Sequence, residues 1–306
     1  MTLTQLATSP PATGPDRSVN DPPSPSESFA RAQLRRVFRS WPVRMALGAL
    51  VGLVLIAIFA SWLGTSDPTE LSPGARLKGV SAAHWLGTDS LGRDVYSRAI
   101  FGSRVSLVVG LGAATISIAI GLLIGVISGY SRSADAIIMR FMDGVMAIPG
   151  ILLAIALVSL VGANLLTVLI AICIPDIPRV VRLARAVVLS VRSEPYVEAA
   201  TTLGTRFHVM IWRHIVPSTV APLIVQGTFI FASAILAESV LSFLGAGIPP
   251  ETPSWGNIMA DGRVYFQLQP GLILFPGLLV SMTVLSINLL GDAMRDGLDP
   301  RLSGRL

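Results

Sequence analysis

Six stretches of this chain stay apolar for about 20 residues, the length an α-helix needs to cross a hydrocarbon core of about 30 Å. They cover residues 45–64, 105–130, 144–162, 165–183, 219–244 and 271–290. Backbone N–H and C=O groups in lipid must pair within a helix or a closed barrel, and runs of this length suit helices. The expected fold class is an all-α membrane protein with six transmembrane helices. Composition agrees: 52% of the 306 residues are apolar and only 13% are charged, with a mean hydropathy of +0.68, well away from a soluble domain. The formal charge of +5 comes from Lys78 and the arginines, which flank the apolar runs. No clustered basic footprint of the kind a phosphate backbone requires results, so nucleic acid is excluded and membrane lipid is the general partner.

The segments between the runs set the domain layout. Residues 1–30, rich in Pro, Ser and Thr and without an apolar stretch, read as a disordered cytoplasmic tail and not a cleavable leader. Residues 31–44 place Leu34, Val37, Phe38 and Trp41 at helical spacing with arginines on the other face, the pattern of an amphipathic helix lying in an anionic membrane surface. Residues 45–104 hold the first span and an extracytoplasmic loop, 105–292 the core transmembrane domain, and 293–306 a cytoplasmic tail. With the N-terminus inside, only Arg76, Lys78, Arg93, Arg98, Arg104 and Arg263 of the 23 Lys and Arg fall outside. The positive-inside bias therefore puts both termini and segment 193–217 in the cytoplasm.

Several residues inside the runs stand out. Ala113, Ser117, Gly121, Gly125 and Gly129 recur every four residues, lining one helix face with small side chains so that another helix can approach closely. Cys173 lies in an apolar run and reads as a small buried hydrophobe. "PDIPR" at 175–179 interrupts the fourth run, which predicts a broken helix facing protein. There Asp176 either faces a pathway or pairs locally with Arg179. Asp143 is expected at an interface. A carboxylate at the bilayer centre costs roughly 3 kcal/mol, so Glu238, with Gln226 deeper in the same run, is expected to face the bundle near a water-filled route. Either these two line that route or they bond a neighbouring helix. In the outer loop, "GTDSLGRD" suggests Asp89 as a helix cap and an Asp94–Arg98 pair at i, i+4.

The polar stretch "EAATTLGTRFHVMIWRHIVP" at 198–217 separates two apolar runs. Ser193 can cap a helix, Pro195 suits its first turn, and Glu194 and Glu198 bring negative charge to its positive end. Val197, Ala200 and Leu203 share a face, and Gly204 provides a left-handed stop. Thr205 can cap a second helix, with Phe207, Met210, Ile211 and His214 on one face, and Pro217 ends it. Two short helices hinged at a glycine make a rigid protrusion suited to touching another protein. His208 and His214 fall on different sides of such a helix and share no metal site.

"EAATTLG", continuing to "HIVP", resembles the EAA loop of ABC importer permeases. "HWLGTDSLGRDVYSR" (84–98), "AESVLSFLGAG" (237–247), "PSWGNIMADGR" (253–263) and "NLLGDAMRDGLDPRL" (288–302) narrow the likeness. Together they are similar to the C-type permease subunit of dipeptide, oligopeptide and nickel importers, from about residue 31 to the C-terminus. The resemblance implies the type I ABC importer permease fold, with an N-terminal interfacial helix, in a bacterial plasma membrane. It implies docking of a cytoplasmic ATPase at Glu198, Ala199, Ala200, Leu203 and Gly204. The implied partners are a homologous B-type permease, one or two ATPase subunits that bind ATP and Mg, and an extracytoplasmic substrate-binding protein; this chain itself takes no cofactor. Peptides are the implied cargo, with nickel or glutathione as alternatives. Asp176 departs from the family pattern, where a tryptophan commonly precedes the proline and arginine.

The rival readings explain less. "LLGD" at 289–292 suggests an intramembrane aspartyl protease, but no second aspartate lies at comparable depth in a neighbouring run, and no HExxH motif is present. A proton-coupled carrier built on Asp176 and Glu238 leaves the cytoplasmic hairpin without a purpose. The sequence holds no Walker A motif, so ATP hydrolysis belongs to a partner.

Overall fold

The computed structural model describes residues 40–298. The expected tail at 1–30, most of the interfacial helix expected at 31–44, and residues 299–306 lie outside the described residues. Helix α1 spans Trp41–Ile58, with proline in its opening turn. Residues 41–44, expected in an interfacial helix, are thus the first turn of the first span, where proline needs no N–H partner. A 3₁₀ turn at Ala60–Trp62 and another at Pro73–Ala75 punctuate the outer loop.

Helix α2 runs Val95–Tyr130 over 36 residues, about 54 Å, and begins ten residues before its apolar run. Its N-cap is Asp94, which accepts the Ser97 N–H at 2.8 Å. Arg98 and Arg104 interrupt the apolar pattern without interrupting the helix. Arg98 is wholly buried among charged partners, and Arg104 donates to the Ile58 carbonyl at the end of α1.

The third apolar run is not one helix. It is divided between α3 (Arg132–Met146) and α4 (Gly150–Val161), bent by 87°. Pro149 is the reason: it drives the preceding residue out of the helical region and serves as the N-cap of α4. The fourth run is the converse case. Helix α5 (Leu165–Arg192) continues unbroken through Pro175 and Pro178, correcting the expected break. It packs against α2, α4 and the later helix α8, and this burial outweighs the ladder bonds that the prolines remove.

Helix α6 (Pro195–Thr202) and helix α7 (Phe207–Met210) form the hairpin, and a π-turn at Ile211–Ile215 joins α7 directly to α8 (Val216–Phe243). Pro217 therefore does not end the second hairpin helix. The wider π-turn, in which the Val216 N–H reaches back to the Ile211 carbonyl, accommodates a residue without an N–H. Helix α9 (Trp255–Gly262) and helix α10 (Gly271–Leu298) complete the bundle.

Among the described residues, four helices are long and apolar enough to cross a membrane, and the bent α3–α4 pair is a fifth candidate. The count of six is not reached, because Asp176, Arg179 and Arg182 all fall within the first 18 residues of α5. The molecule is an all-α, multi-pass, mostly membrane-embedded bundle.

The small-residue face of α2 is buried against α5. A methyl group on Gly121 would lie 2.5 Å from Val180 Cβ, one on Gly125 2.6 Å from Ala184 Cβ, and one on Gly129 2.7 Å from Val188 Cβ. The numbers rise together on both helices, so the two run parallel with their backbones nearly touching, as small-xxx-small faces allow. Ala113 and Ser117 continue that buried face, and the buried Cys173 thiol sits 3.9 Å from the Ala113 carbonyl.

Candidate functional site

The hairpin departs from α5 with almost no slack. Ser193 closes α5, its hydroxyl donating to the Ser190 carbonyl at 2.8 Å, and does not cap α6. Glu194 holds the N-cap position of α6 without a side-chain bond, and Pro195 follows in the first turn. Val197 is buried with Val126, Val188, Met210 and Ile215, and Ala200 packs partly against this cluster. The face predicted for Val197, Ala200 and Leu203 is therefore split: the first two fasten α6 to its own bundle, while Leu203 is 87% exposed. Glu198 and Ala199 are also exposed.

Gly204 ends α6 at φ +74°. Its N–H bonds the Thr201 carbonyl at 3.0 Å and the Thr205 N–H reaches the Ala200 carbonyl at 3.1 Å. This is the paired closure of a Schellman stop, which a left-handed glycine makes inexpensive. Thr205 therefore closes the first helix through its backbone. In the second half, Met210 and Ile215 are buried and His214 only partly so; the extra residue per turn of the π segment moves the inward face from His214 to Ile215. Phe207's side chain lies outside the description. Trp212 is 71% exposed, so the hairpin presents Leu203 and Trp212 outward from a base locked by Val197.

Asp176, Gln226 and Glu238 are not brought together. Asp176 is buried and pairs with Arg179 at 2.8 Å, the local pairing of its two expected fates. Glu238 is fully buried and accepts from the Ser242 hydroxyl at 2.9 Å and the Ser254 hydroxyl at 2.8 Å. The second of these bonds ties α8 to the cap of α9. Gln226, twelve residues or about 18 Å away along α8, lines a cavity of about 410 Å³ with Leu183, Pro222, Phe229 and Arg295.

The outer loop contains a cluster that sequence reasoning missed. Arg93 Nε meets Asp89 at 2.6 Å and Arg93 Nη2 meets Asp261 at 2.8 Å, while Arg98 Nε lies 3.6 Å from Asp89. Asp89 also accepts the backbone N–H groups of Leu91 and Arg93, each at 2.9 Å. Burial pushes the Asp261 carboxyl up from its ordinary range, and Arg93 and Arg98 pull it back. The roles expected of the two loop aspartates are exchanged: Asp94 caps α2 and faces His84 Nδ1 at 3.0 Å, and Asp89 holds the arginines. The i, i+4 signal was present as Asp89–Arg93, but Asp261 lies 168 positions from Arg93 and no spacing rule reaches it. Two ion pairs across α3 and α5, Asp135–Arg185 and Asp143–Arg182, were also missed; Asp143 sits in the last turn of α3, 2.6 Å from Arg182.

Known proteins match most of the length of the chain. The family described as the binding-protein-dependent transport system inner membrane component matches residues 117–304. A probable peptide ABC transporter permease protein of Sinorhizobium fredii is 50% identical, covering 88% of this chain and 93% of its own. A dipeptide transport system permease protein of Alkalihalophilus pseudofirmus is 41% identical, covering 92% and 95%. A glutathione transport system permease protein of Pectobacterium atrosepticum is 39% identical, covering 94% of each.

Proposed function

The chain belongs to the family of binding-protein-dependent transport inner membrane components, and from that premise we propose that it forms half of the translocation pathway of an ATP-driven peptide importer in a bacterial plasma membrane. In this reading α5 is a sixth pass shielded inside the bundle, the α3–α4 pair is a bent pass, and both termini face the cytoplasm. The hairpin then projects into the cytoplasm and seats in an ATPase subunit, which binds ATP and Mg. A homologous permease completes the pathway, and an extracytoplasmic binding protein delivers cargo. Peptide cargo follows from the names of the relatives, and the glutathione permease among them makes a thiol tripeptide the first alternative, ahead of nickel.

The observation that carries this reading is Leu203, 87% exposed at the end of a helix whose inner face is fixed by Val197. A large apolar side chain on a rigid, Schellman-closed knuckle is a contact waiting for a partner groove. Closure of the ATPase dimer would move α6 and, through Ser193, the cytoplasmic end of α5. Such coupling needs the hairpin to bind differently in the two ATPase states.

Leu203→Glu and Gly204→Val test it. Valine at φ +74° costs roughly 1–2 kcal/mol in the left-handed region, enough to loosen the stop without unfolding the bundle. Both variants should reach the membrane at normal levels, retain less ATPase on purification and lose ATP-driven uptake. Full retention with full uptake in Leu203→Glu would refute the docking role. Uptake that survives ATP depletion with the proton gradient intact would favour a secondary carrier instead.

A further inference from the structure

At the end of the bundle that carries α6, a cavity of about 820 Å³ opens between the C-terminal ends of α2 and α5 and the first turn of α3. Three arginines and two acids stand on its wall: Arg132, Arg185, Arg192, Asp135 and Glu198. Arg185 is committed, since it grips Asp135 with two nitrogens, one of them at 2.6 Å, and the Ser128 hydroxyl bonds the same carboxylate. Arg192 gives one nitrogen to the Tyr130 carbonyl at 3.1 Å and lies 5.1 Å from the Tyr130 ring, which leaves the rest of its fork open. Arg132 is exposed and has no side-chain hydrogen bond or ion pair among the described residues. Two open guanidinium groups thus face the cavity against the single carboxylate of Glu198, and the balance favours an anion.

Beside it, a groove of about 680 Å³ follows the outer face of α3 past Ala136, Ile137, Arg140, Phe141 and Gly144. Ile137 is 74% and Phe141 67% exposed. Arg132, Ala136, Arg140 and Gly144 recur every four residues, so the open cation and the groove share one stripe of the helix.

We infer that cavity and groove form one binding site for an anionic phospholipid, with the phosphate held by Arg132 and Arg192 and an acyl chain laid along α3. The guanidinium fork matches phosphate oxygens in pairs. Basic pockets between membrane helices on the cytoplasmic side are where acidic headgroups collect. A free phosphate would use the cavity and leave the groove bare. A phospholipid uses both. The inference rests on the cytoplasmic placement of α6 proposed above, and because Glu198 shares the cavity wall, a bound headgroup places its charge beside the docking helix.

The test titrates the detergent-solubilised full-length chain with short-chain phosphatidylglycerol, short-chain phosphatidylcholine and inorganic phosphate, reading binding directly and the shift in Tm. Phosphatidylglycerol should bind saturably, phosphatidylcholine roughly tenfold more weakly, and phosphate alone not saturably. Arg132→Ala should weaken phosphatidylglycerol by roughly fivefold, and Arg132→Ala with Arg192→Gln by roughly thirtyfold. Ile137→Ser with Phe141→Ser should weaken the lipid as well. Arg132 is exposed and has no side-chain hydrogen bond or ion pair among the described residues, so its variant should fold and remains informative. Equal affinity for the two lipids, or phosphatidylglycerol binding unchanged in Arg132→Ala, overturns the inference. Phosphate binding as tightly as the lipid reassigns the cavity to a free anion. Loss of the ATPase from Arg132→Ala with lipid affinity intact reassigns the arginines to a protein contact. All of these readouts can fail while the Leu203→Glu result stands, so the two proposals are separable.

Discussion

Replacing Gly125 by alanine tests the parallel contact between α2 and α5 at the middle of its three close approaches. The added methyl would stand 2.6 Å from Ala184 Cβ, 2.9 Å from the Val181 carbonyl oxygen and 3.2 Å from the Arg185 amide nitrogen. Carbon atoms rest at about 3.5–4.0 Å, so the helices must part by about 1 Å. Neither can yield alone, because α5 is enclosed on its other sides by α4 and α8. Overpacking of this kind costs about 1–3 kcal/mol, while alanine gains about 1 kcal/mol over glycine in a helix. The control is Gly144→Ala in α3, where nothing lies within 4 Å of the new methyl. It keeps the propensity gain and omits the clash, so the difference between the two variants is about 1–3 kcal/mol. Thermal unfolding in one detergent at one scan rate should place Gly125→Ala below Gly144→Ala by roughly 2–4 °C per kcal/mol. Adding Ala184→Gly to Gly125→Ala removes the nearest clash and should recover part of the loss, as coupling between touching residues requires. Gly125→Ala as stable as Gly144→Ala, or no recovery in the double variant, would refute the contact.

Other perturbations follow from the same geometry. Glu238→Ala strands two buried hydroxyls at the α8–α9 junction and should cost about 1–3 kcal/mol; the yield of assembled complex should fall while uptake per complex stays normal, and the reverse result would make Glu238 a pathway residue. Asp89→Ala leaves Arg93 and Arg98 buried with one partial acid, Asp261. A loss of about 3–5 kcal/mol is expected, visible as faster proteolysis of the outer loop, and wild-type resistance would show that the cluster is not a fastening.

Much of the bundle is legible from local pattern because membrane helices satisfy their own backbones. The run at 219–244 matches α8 within three residues at each end, and the small-residue face of α2 announces its close partner without naming it. The hairpin is legible too, since Pro195 and Gly204 mark both ends of α6 by backbone chemistry alone. Most of the errors come from contacts distant along the chain. Val95 to Arg104 reads as loop because Arg98 looks like a surface charge, and it is Asp89, Asp261 and the Pro250 carbonyl that make its burial tolerable. Pro175 and Pro178 predict a break in α5 that the surrounding helices suppress, whereas Pro149, at the α3–α4 junction, produces the 87° bend that the apolar pattern hides. At the site, exposure could not be read from spacing. Val197 and Leu203 bound one broad apolar face, with Ala200 between them, yet the first is a bolt into the bundle and the second a free tip.

The meshing of α2 with α5 also restricts how the protein can change shape. A slip of one residue along α5, about 1.5 Å, would push bulkier neighbours such as Arg185 toward glycines that have no room for them. Sliding is therefore opposed, and the meshed face favours movement of the two helices as a pair. Since α5 runs into α6 through Ser193 and Glu194, a push on the knuckle meets α5 where Gly129 of α2 already lies against Val188.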